Sequence, residues 1–318
     1  MYCESDKVDT LERIGLFMQE IIYPRSLQKG DQVCLIDPAN AYTEAGVDAA
    51  VSFLEGKGVQ VRVADDMAFR HGTPIERAGK LNRIFQDENC RGIFCIWGGY
   101  GTMSLLDYLD YDAIKKNRQI FAGFSDITAM HLAIGQKSGL VTYHSPALYS
   151  EKRPTTAEAF EQFWDKIENV ERERELKNLN GEDFQVLREG DFEGIVTGGN
   201  MTLVSRLMGT EYEIDTKGKV LFLEEVGEMP YRLHGMLSQL RMAGKLQDVK
   251  GILIGALTDC DTKGRPGSAM ALVQDALEGI DIPIIANVRA GHIKDPITIP
   301  LHGKLKVSGG RIWQCAAE

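Results

Sequence analysis

The sequence predicts an α/β protein whose N-terminal half is an open, mostly parallel sheet with helices on both faces. Short apolar runs alternate with stretches of helical spacing through this half, which is the pattern of successive βαβ units. The run at 92–97 is apolar throughout, as a strand buried on both faces tends to be. Further short β-like runs with helical stretches between them fill the second half. A chain of 318 residues has room for two packed domains, at roughly 150 residues each.

Taken in order, Leu11, Ile14, Met18, Ile21 and Ile22 have helical spacing, which predicts a helix over 11–22 ahead of the first strand. Gly30-Asp31 opens a strand at 32–36. Residues 44–57 read as a helix, with Val47, Ala50, Val51 and Leu54 on one face and Gly58 as its stop. A second strand spans 59–63, and Thr73-Pro74 starts a helix that runs to 87. The strand at 92–97 leads into Gly98-Gly99-Tyr100-Gly101-Thr102, and helix resumes at 103–109. An apolar run then ends at Gly123-Phe124, a helical pattern occupies 126–136, and 140–143 is a strand before His144-Ser145-Pro146.

From 150 to 189 the chain turns polar, and 171–177 is nearly all ionic, which reads as a solvated helix and a linker. Beyond it, strands are expected at 192–196, 220–223, 251–254 and 283–286, and helices at 201–208, 231–243 and 268–277. A hairpin around Gly309-Gly310 is expected within 298–315. The expected organisation is an N-terminal α/β domain at 1–155, a helical linker at 156–188 and a C-terminal domain at 189–318.

Composition narrows the function classes. A formal net charge of -10 argues against a protein that grips a phosphate backbone, and favours a small-molecule or peptide substrate. The six cysteines, Cys3, Cys34, Cys90, Cys95, Cys260 and Cys315, form no Cys-x-x-Cys pair and no metal-finger spacing. Set mostly in apolar stretches, they read as buried free thiols of a reducing compartment. Glu4, Asp6, Asp9 and Glu12 precede any sizeable apolar run, so no signal peptide is expected. Nothing approaches the ~20 apolar residues of a membrane span. The expectation is a cytoplasmic protein with no nucleic-acid or membrane partner.

Ser125 falls where the strand ending at Gly123-Phe124 gives way to helix. A serine on such a turn presents its hydroxyl above the carboxyl edge of a sheet, and the N–H of Asp126 points where an oxyanion would form. The same residues also suit a helix cap, and Ile127 stands where a second elbow glycine would be. Gly98-Gly99-Tyr100-Gly101 lacks the spacing of a nucleotide loop, and serves equally as a tight turn or as a loop whose N–H groups approach a ligand. Glu224 and Glu225 end an apolar strand, and Gly291-His292 opens a loop after 282–288. His71, His131, His144, His234 and His302 have less defined settings. Strand ends thus carry a serine, then a carboxylate, then a histidine, the three groups that nucleophilic acyl transfer needs.

In its ordered motifs the sequence resembles the LD-carboxypeptidase family, serine peptidase family S66, which includes murein tetrapeptide carboxypeptidases and microcin C7 self-immunity proteins. The motifs are Gly98-Gly99-Tyr100-Gly101, Gly123-Phe124-Ser125-Asp126, Gly198-Gly199-Asn200, Leu223-Glu224-Glu225-Val226-Gly227-Glu228, Pro230-Tyr231-Arg232, Gly291-His292 and Thr298-Ile299-Pro300-Leu301. The resemblance implies a triad of Ser125, Glu224 and His292, with Glu224 rather than Glu225 or Glu228 as the acid. It places oxyanion donors at the backbone of Gly99 and Asp126. It also implies a smaller β-rich C-terminal domain, a site between the domains, a homodimer, and no metal or organic cofactor. Two positions depart from the family: Trp97 stands where Arg commonly precedes the paired glycines, and His234-Gly235 replaces an Asp-Arg pair. Trp97 could stack on a base in a conjugate substrate, or pack in the core.

Overall fold

The computed structural model describes residues 20–39, 44–64 and 72–317. Its first sheet is built from apolar strands that parallel pairing buries on both faces. β1 (Gln32–Ile36), β2 (Gln60–Val63), β3 (Cys90–Cys95), β4 (Ile120–Gly123) and β5 (Thr142–His144) run parallel in the order β2-β1-β3-β4-β5. Between them lie α1 (Glu44–Gly56), α2 (Pro74–Phe85), a 3-10 turn over Thr102–Tyr108, α3 (Tyr111–Asn117) and α4 (Thr128–Ser138). Local chemistry starts α2 at the expected place. The Thr73 side chain accepts from Glu76 N while the Glu76 carboxylate accepts from Thr73 N, and Pro74 needs no partner for its nitrogen.

The second sheet has a parallel centre with antiparallel edges. β8 (Phe192–Asn200), β9 (Val220–Val226), β10 (Gly251–Thr258) and β11 (Ile284–Ala286) are parallel neighbours. The hairpin of β13 (Lys304–Ser308) and β14 (Arg311–Gln314) turns at Gly309-Gly310 and adds to β8. β6 (Arg174–Leu176) closes that edge, and β7 (Gln185–Arg188) closes the other. Helices α6 (Met201–Arg206), α7 (Pro230–Met242) and α8 (Ser268–Ala276) pack on the sheet. The fold is the expected α/β class, with a β-rich C-terminal sheet.

Several expectations shift. Residues 11–19 lie outside the described residues, and Ile22, expected to end their helix, forms a parallel bridge with Leu140. The helix expected at 103–109 is the 3-10 turn. Residues 156–188 hold more than a solvated helix. α5 (Ala157–Glu168) buries Phe163, Trp164 and Ile167 on one face, and Phe160 stacks on Phe53 with ring centroids 4.4 Å apart. The ionic stretch at 171–177 contains β6, where Leu176 turns inward while Glu175 accepts from Arg311 Nε at 2.6 Å. Only one of its three residues is apolar and buried, so charge count hides the strand. Within 298–315, β12 (Ile299–Leu301) leaves the hairpin and pairs antiparallel with β5 of the first sheet. That strand, with Asn200 N donating to Thr128 Oγ1 at 3.0 Å, fastens the carboxyl ends of the two sheets together.

Candidate active site

Ser125 follows β4, between the loops that leave its neighbours β3 and β5. Its φ is +62°, a left-handed conformation that costs a side-chain-bearing residue of order 1–3 kcal/mol, so the turn is held by its surroundings. Asp126 supplies part of that hold. Its Oδ2 accepts from Thr102 N at 2.9 Å, and its carbonyl accepts from Thr102 Oγ1 at 2.6 Å. From α2, Arg77 donates to the Pro38 carbonyl at 2.8 Å and to the Gly101 carbonyl at 3.3 Å, which pins the glycine loop from behind.

Gly98 presses on the serine itself. A Cβ at this position would lie 2.5 Å from Ser125 Cβ and 2.9 Å from its Oγ, so the close approach requires glycine. Gly98→Ala is expected to displace the serine and lower kcat/KM about 100-fold, the scale of a ~1 Å misplacement. Steady-state kinetics beside a melting curve checks this; full activity in a stable variant would contradict the packing.

Glu224 sits near the end of β9, fully buried, and its Oε2 accepts from His292 Nδ1 at 2.8 Å. His292 lies in the loop after β11. Gly291, at φ +116°, sets its backbone against the Glu224 carboxylate, leaving no room for a side chain. Burial alone would raise the Glu224 carboxyl, but the facing histidines outweigh it and hold it well below the carboxylate range. Burial would likewise lower His292, yet the adjacent Glu224 charge wins and raises it above its ordinary 6.5. Because Glu224 holds Nδ1–H, Nε2 of neutral His292 is left as the basic nitrogen.

Ser125 and His292 line one cavity of about 300 Å³, together with Trp97, Gly98, Gly99 and Phe124. The Phe124 and His292 rings are 5.0 Å apart. Trp97 is a wall residue, half-buried beside Tyr149 at 6.1 Å, which corrects the alternative of a core tryptophan. Glu225 turns the other way. It accepts from Asn200 Nδ2 at 2.9 Å and Thr202 N at 2.8 Å, fixing the start of α6. Glu228 pairs with Arg232 at 3.1 Å, and His234 with Asp275 at 3.1 Å.

Two histidines that sequence reasoning passed over support the site. His144, buried at the end of β5, places Nε2 3.7 Å from Glu224 Oε1, an electrostatic contact rather than a hydrogen bond. His131 on α4 lies 3.1 Å from the Gly123 carbonyl through Nε2 and 2.8 Å from Thr142 Oγ1 through Nδ1. A carbonyl only accepts, so Nε2 carries the proton. Burial drops His131 to about 3, so it stays neutral while holding the residue before Phe124-Ser125. His131 lies inside α4 and His144 ends β5, and nothing local in the sequence distinguishes either from a surface histidine.

Among the described residues no group of three or more His, Cys, Asp or Glu side chains is arranged to hold a metal ion, and no helix is long and apolar enough to cross a membrane. Cys34, Cys90, Cys95 and Cys260 are buried and in no disulfide, and burial pushes Cys90 up to about 12.

Two α/β sheets meet at a cavity that holds a strand-end serine and a carboxylate-bound histidine, groups whose chemistry suits acyl transfer. Comparison with known proteins makes it specific. The family model for the LD-carboxypeptidase N-terminal domain matches residues 33–145, and that for the C-terminal domain matches residues 193–307. A probable murein peptide carboxypeptidase of Bacillus subtilis (strain 168) is 35% identical over 292 residues, 88% of this chain and 90% of its own. The microcin C7 self-immunity protein MccF of Escherichia coli is 27% identical over 304 residues, 85% of this chain and 87% of its own. The crystal structure of an MccF-like protein from Bacillus anthracis str. Ames superposes with a TM-score of 0.82 at 27% identity, covering 93% of this chain and 100% of that one. The chain belongs to the LD-carboxypeptidase family, and its class of activity is that of a carboxypeptidase, a hydrolase.

Proposed function

We propose that this carboxypeptidase is of the serine type and hydrolyses an amide between an L-configured centre and a terminal D-amino acid, releasing D-alanine from murein tetrapeptides in cell-wall recycling. The single observation that carries the chemistry is the buried Glu224–His292 hydrogen bond opening on the cavity that Ser125 lines. The 35%-identical murein peptide carboxypeptidase relative supports the substrate class.

Ser125 Oγ attacks the scissile carbonyl while His292 Nε2 takes its proton, forming the C–O bond of a tetrahedral intermediate. The backbone N–H groups of Gly99 and Asp126 bind its oxyanion. His292 then protonates the leaving nitrogen, the C–N bond breaks and D-alanine departs. Water, deprotonated by His292, cleaves the acyl ester, returning a proton to Ser125 and yielding the tripeptide acid. Glu224 holds the imidazole tautomer and balances its charge. We read the protein as a cytoplasmic homodimer, in keeping with its buried cysteines outside any disulfide and its family; cell fractionation and sedimentation test those two points.

The test is release of free D-alanine from L-Ala-γ-D-Glu-meso-diaminopimelate-D-Ala across a pH series. The base must be neutral and His292 is held above 6.5, so kcat/KM is expected to fall as pH drops, with a midpoint above that value. Glu224, held low, is ionised throughout and adds no second limb in this range. Absence of D-alanine release at every pH would sink the murein reading.

A second reading, an amidase of microcin-like aminoacyl-nucleotide conjugates, is favoured by one feature, the Trp97–Tyr149 aromatic wall on which a base could stack. The MccF relative supports it. Direct competition between a tetrapeptide and such a conjugate separates the two.

A further inference from the structure

A carboxypeptidase must recognise the free carboxylate beside the bond it cuts, a task that neither the triad nor the glycine loop performs. We infer that Arg153 is the terminal-carboxylate receptor, positioned by Asp259 on the leaving-group side of Ser125. The inference rests on the carboxypeptidase reading above and assigns one subsite within it.

Topology separates the two sides of the serine. Ser125 follows β4, with the glycine loop leaving β3 on one flank and the 147–153 segment, beyond β5, lining the cavity on the other. If the substrate's carbonyl oxygen turns to the N–H groups of Gly99 and Asp126, its leaving nitrogen turns towards His292 and the second flank. The terminal carboxylate carbon is only about 2.5 Å beyond that nitrogen, two bonds away through one Cα. It therefore lands on the second flank, within a side chain's reach of His292.

Arg153 occupies that place. It lines the cavity with Ser125 and His292, and its positive charge acts on His292 enough to oppose protonation of the imidazole. The segment that carries it is fixed at both ends. Arg153 N donates to Ser150 Oγ at 3.1 Å, Thr155 Oγ1 donates to the Ala147 carbonyl at 2.9 Å, and Thr156 N donates to the Lys294 carbonyl at 2.7 Å. The last bond ties it to the His292 loop itself.

The guanidinium is oriented by Asp259, just past the end of β10, through Nη2. Asp259 is 70% exposed, so the pair is weak enough to share its cation. One monodentate contact leaves most of the five guanidinium donors for a second carboxylate, and a planar fork matches a carboxylate better than the ammonium of neighbouring Lys152 does. An amide or ester terminus would instead offer Arg153 no second negative charge, which makes the subsite selective for a free acid.

The test compares kcat/KM on two tetrapeptides that differ only at the last carbonyl, D-alanine as the free acid against D-alaninamide. Wild type is expected to favour the acid. Arg153→Ala is expected to lower the acid-to-amide ratio about 100-fold, the scale of a lost charge-assisted pair, mostly through KM. A general loss of folding or catalysis would leave that ratio alone. Arg153→Lys is expected to restore it in part, and Asp259→Asn to lower it less than Arg153→Ala does. Wild-type cleavage with a ratio unchanged in Arg153→Ala would overturn this assignment and leave the carboxypeptidase reading standing. Wild type that cleaves neither peptide would overturn the reading, and this subsite with it.

Discussion

Ser125→Ala is expected to reduce D-alanine release by about 10⁴-fold or more, because a nucleophile removed from a unit of three takes the activity of the whole unit with it. The change deletes one oxygen. The left-handed φ of +62° strains alanine about as it strains serine, and the Gly98 contact through Cβ survives, so the melting temperature should move little. Labelling with a serine-directed phosphonate, read by mass spectrometry, should add one adduct to wild type and none to the variant. Wild-type turnover by Ser125→Ala would sink the assignment. Attention would then move to Ser150, the other serine lining this cavity.

How legible the fold was depended on what each segment buries. β3 and β4 lie in the middle of a parallel sheet, so nearly every residue is apolar and the run announces itself. β6 lies at an edge, buries Leu176 alone and turns its charges to solvent, so composition conceals it. β12 is apolar and visible as Ile299-Pro300-Leu301, but its pairing with β5 is a contact between residues far apart in sequence. No local pattern encodes which sheet such a strand joins. α5 shows a related limit, since its polar residues dominate the count while Phe163 and Trp164 on one face decide its burial.

The same distinction runs through the site. The Ser125 turn was readable because strand, glycine and helix start are adjacent in sequence, whereas the glycine loop read equally as a tight turn or as a ligand-approaching loop, and the packing of Gly98 on Ser125 was not legible. The choice between Glu224 and Glu225 rested on family resemblance. The structure supplies a physical difference between them, since successive strand residues face opposite sides. Glu224 faces His292, whereas Glu225 is spent on Asn200 and the start of α6. Arg77, His131 and His144 act through contacts with distant elements, for which a single sequence holds no signal.

Glu224→Gln tests the electrostatic half of the site. The amide has nearly the shape of the carboxylate, and the side chain is fully buried against Gly291, so the variant should keep its place. What changes is charge. The imidazolium that forms as Ser125 gives up its proton loses its counter-ion in a buried site, and an amide can also present its NH₂ to Nδ1 and favour the wrong tautomer. A fall of about 10⁴-fold in kcat/KM is expected, as for the acid of other serine triads. The pH profile should move too. The carboxylate is what lifts His292 against its own burial, so without it burial prevails and the acid limb shifts below its wild-type position. A slow variant whose limb stays put would mean that Glu224 orients His292 without setting its charge. A variant with wild-type rate and limb would move the acid elsewhere, and Glu225, whose charge also reaches His292, would be next to replace.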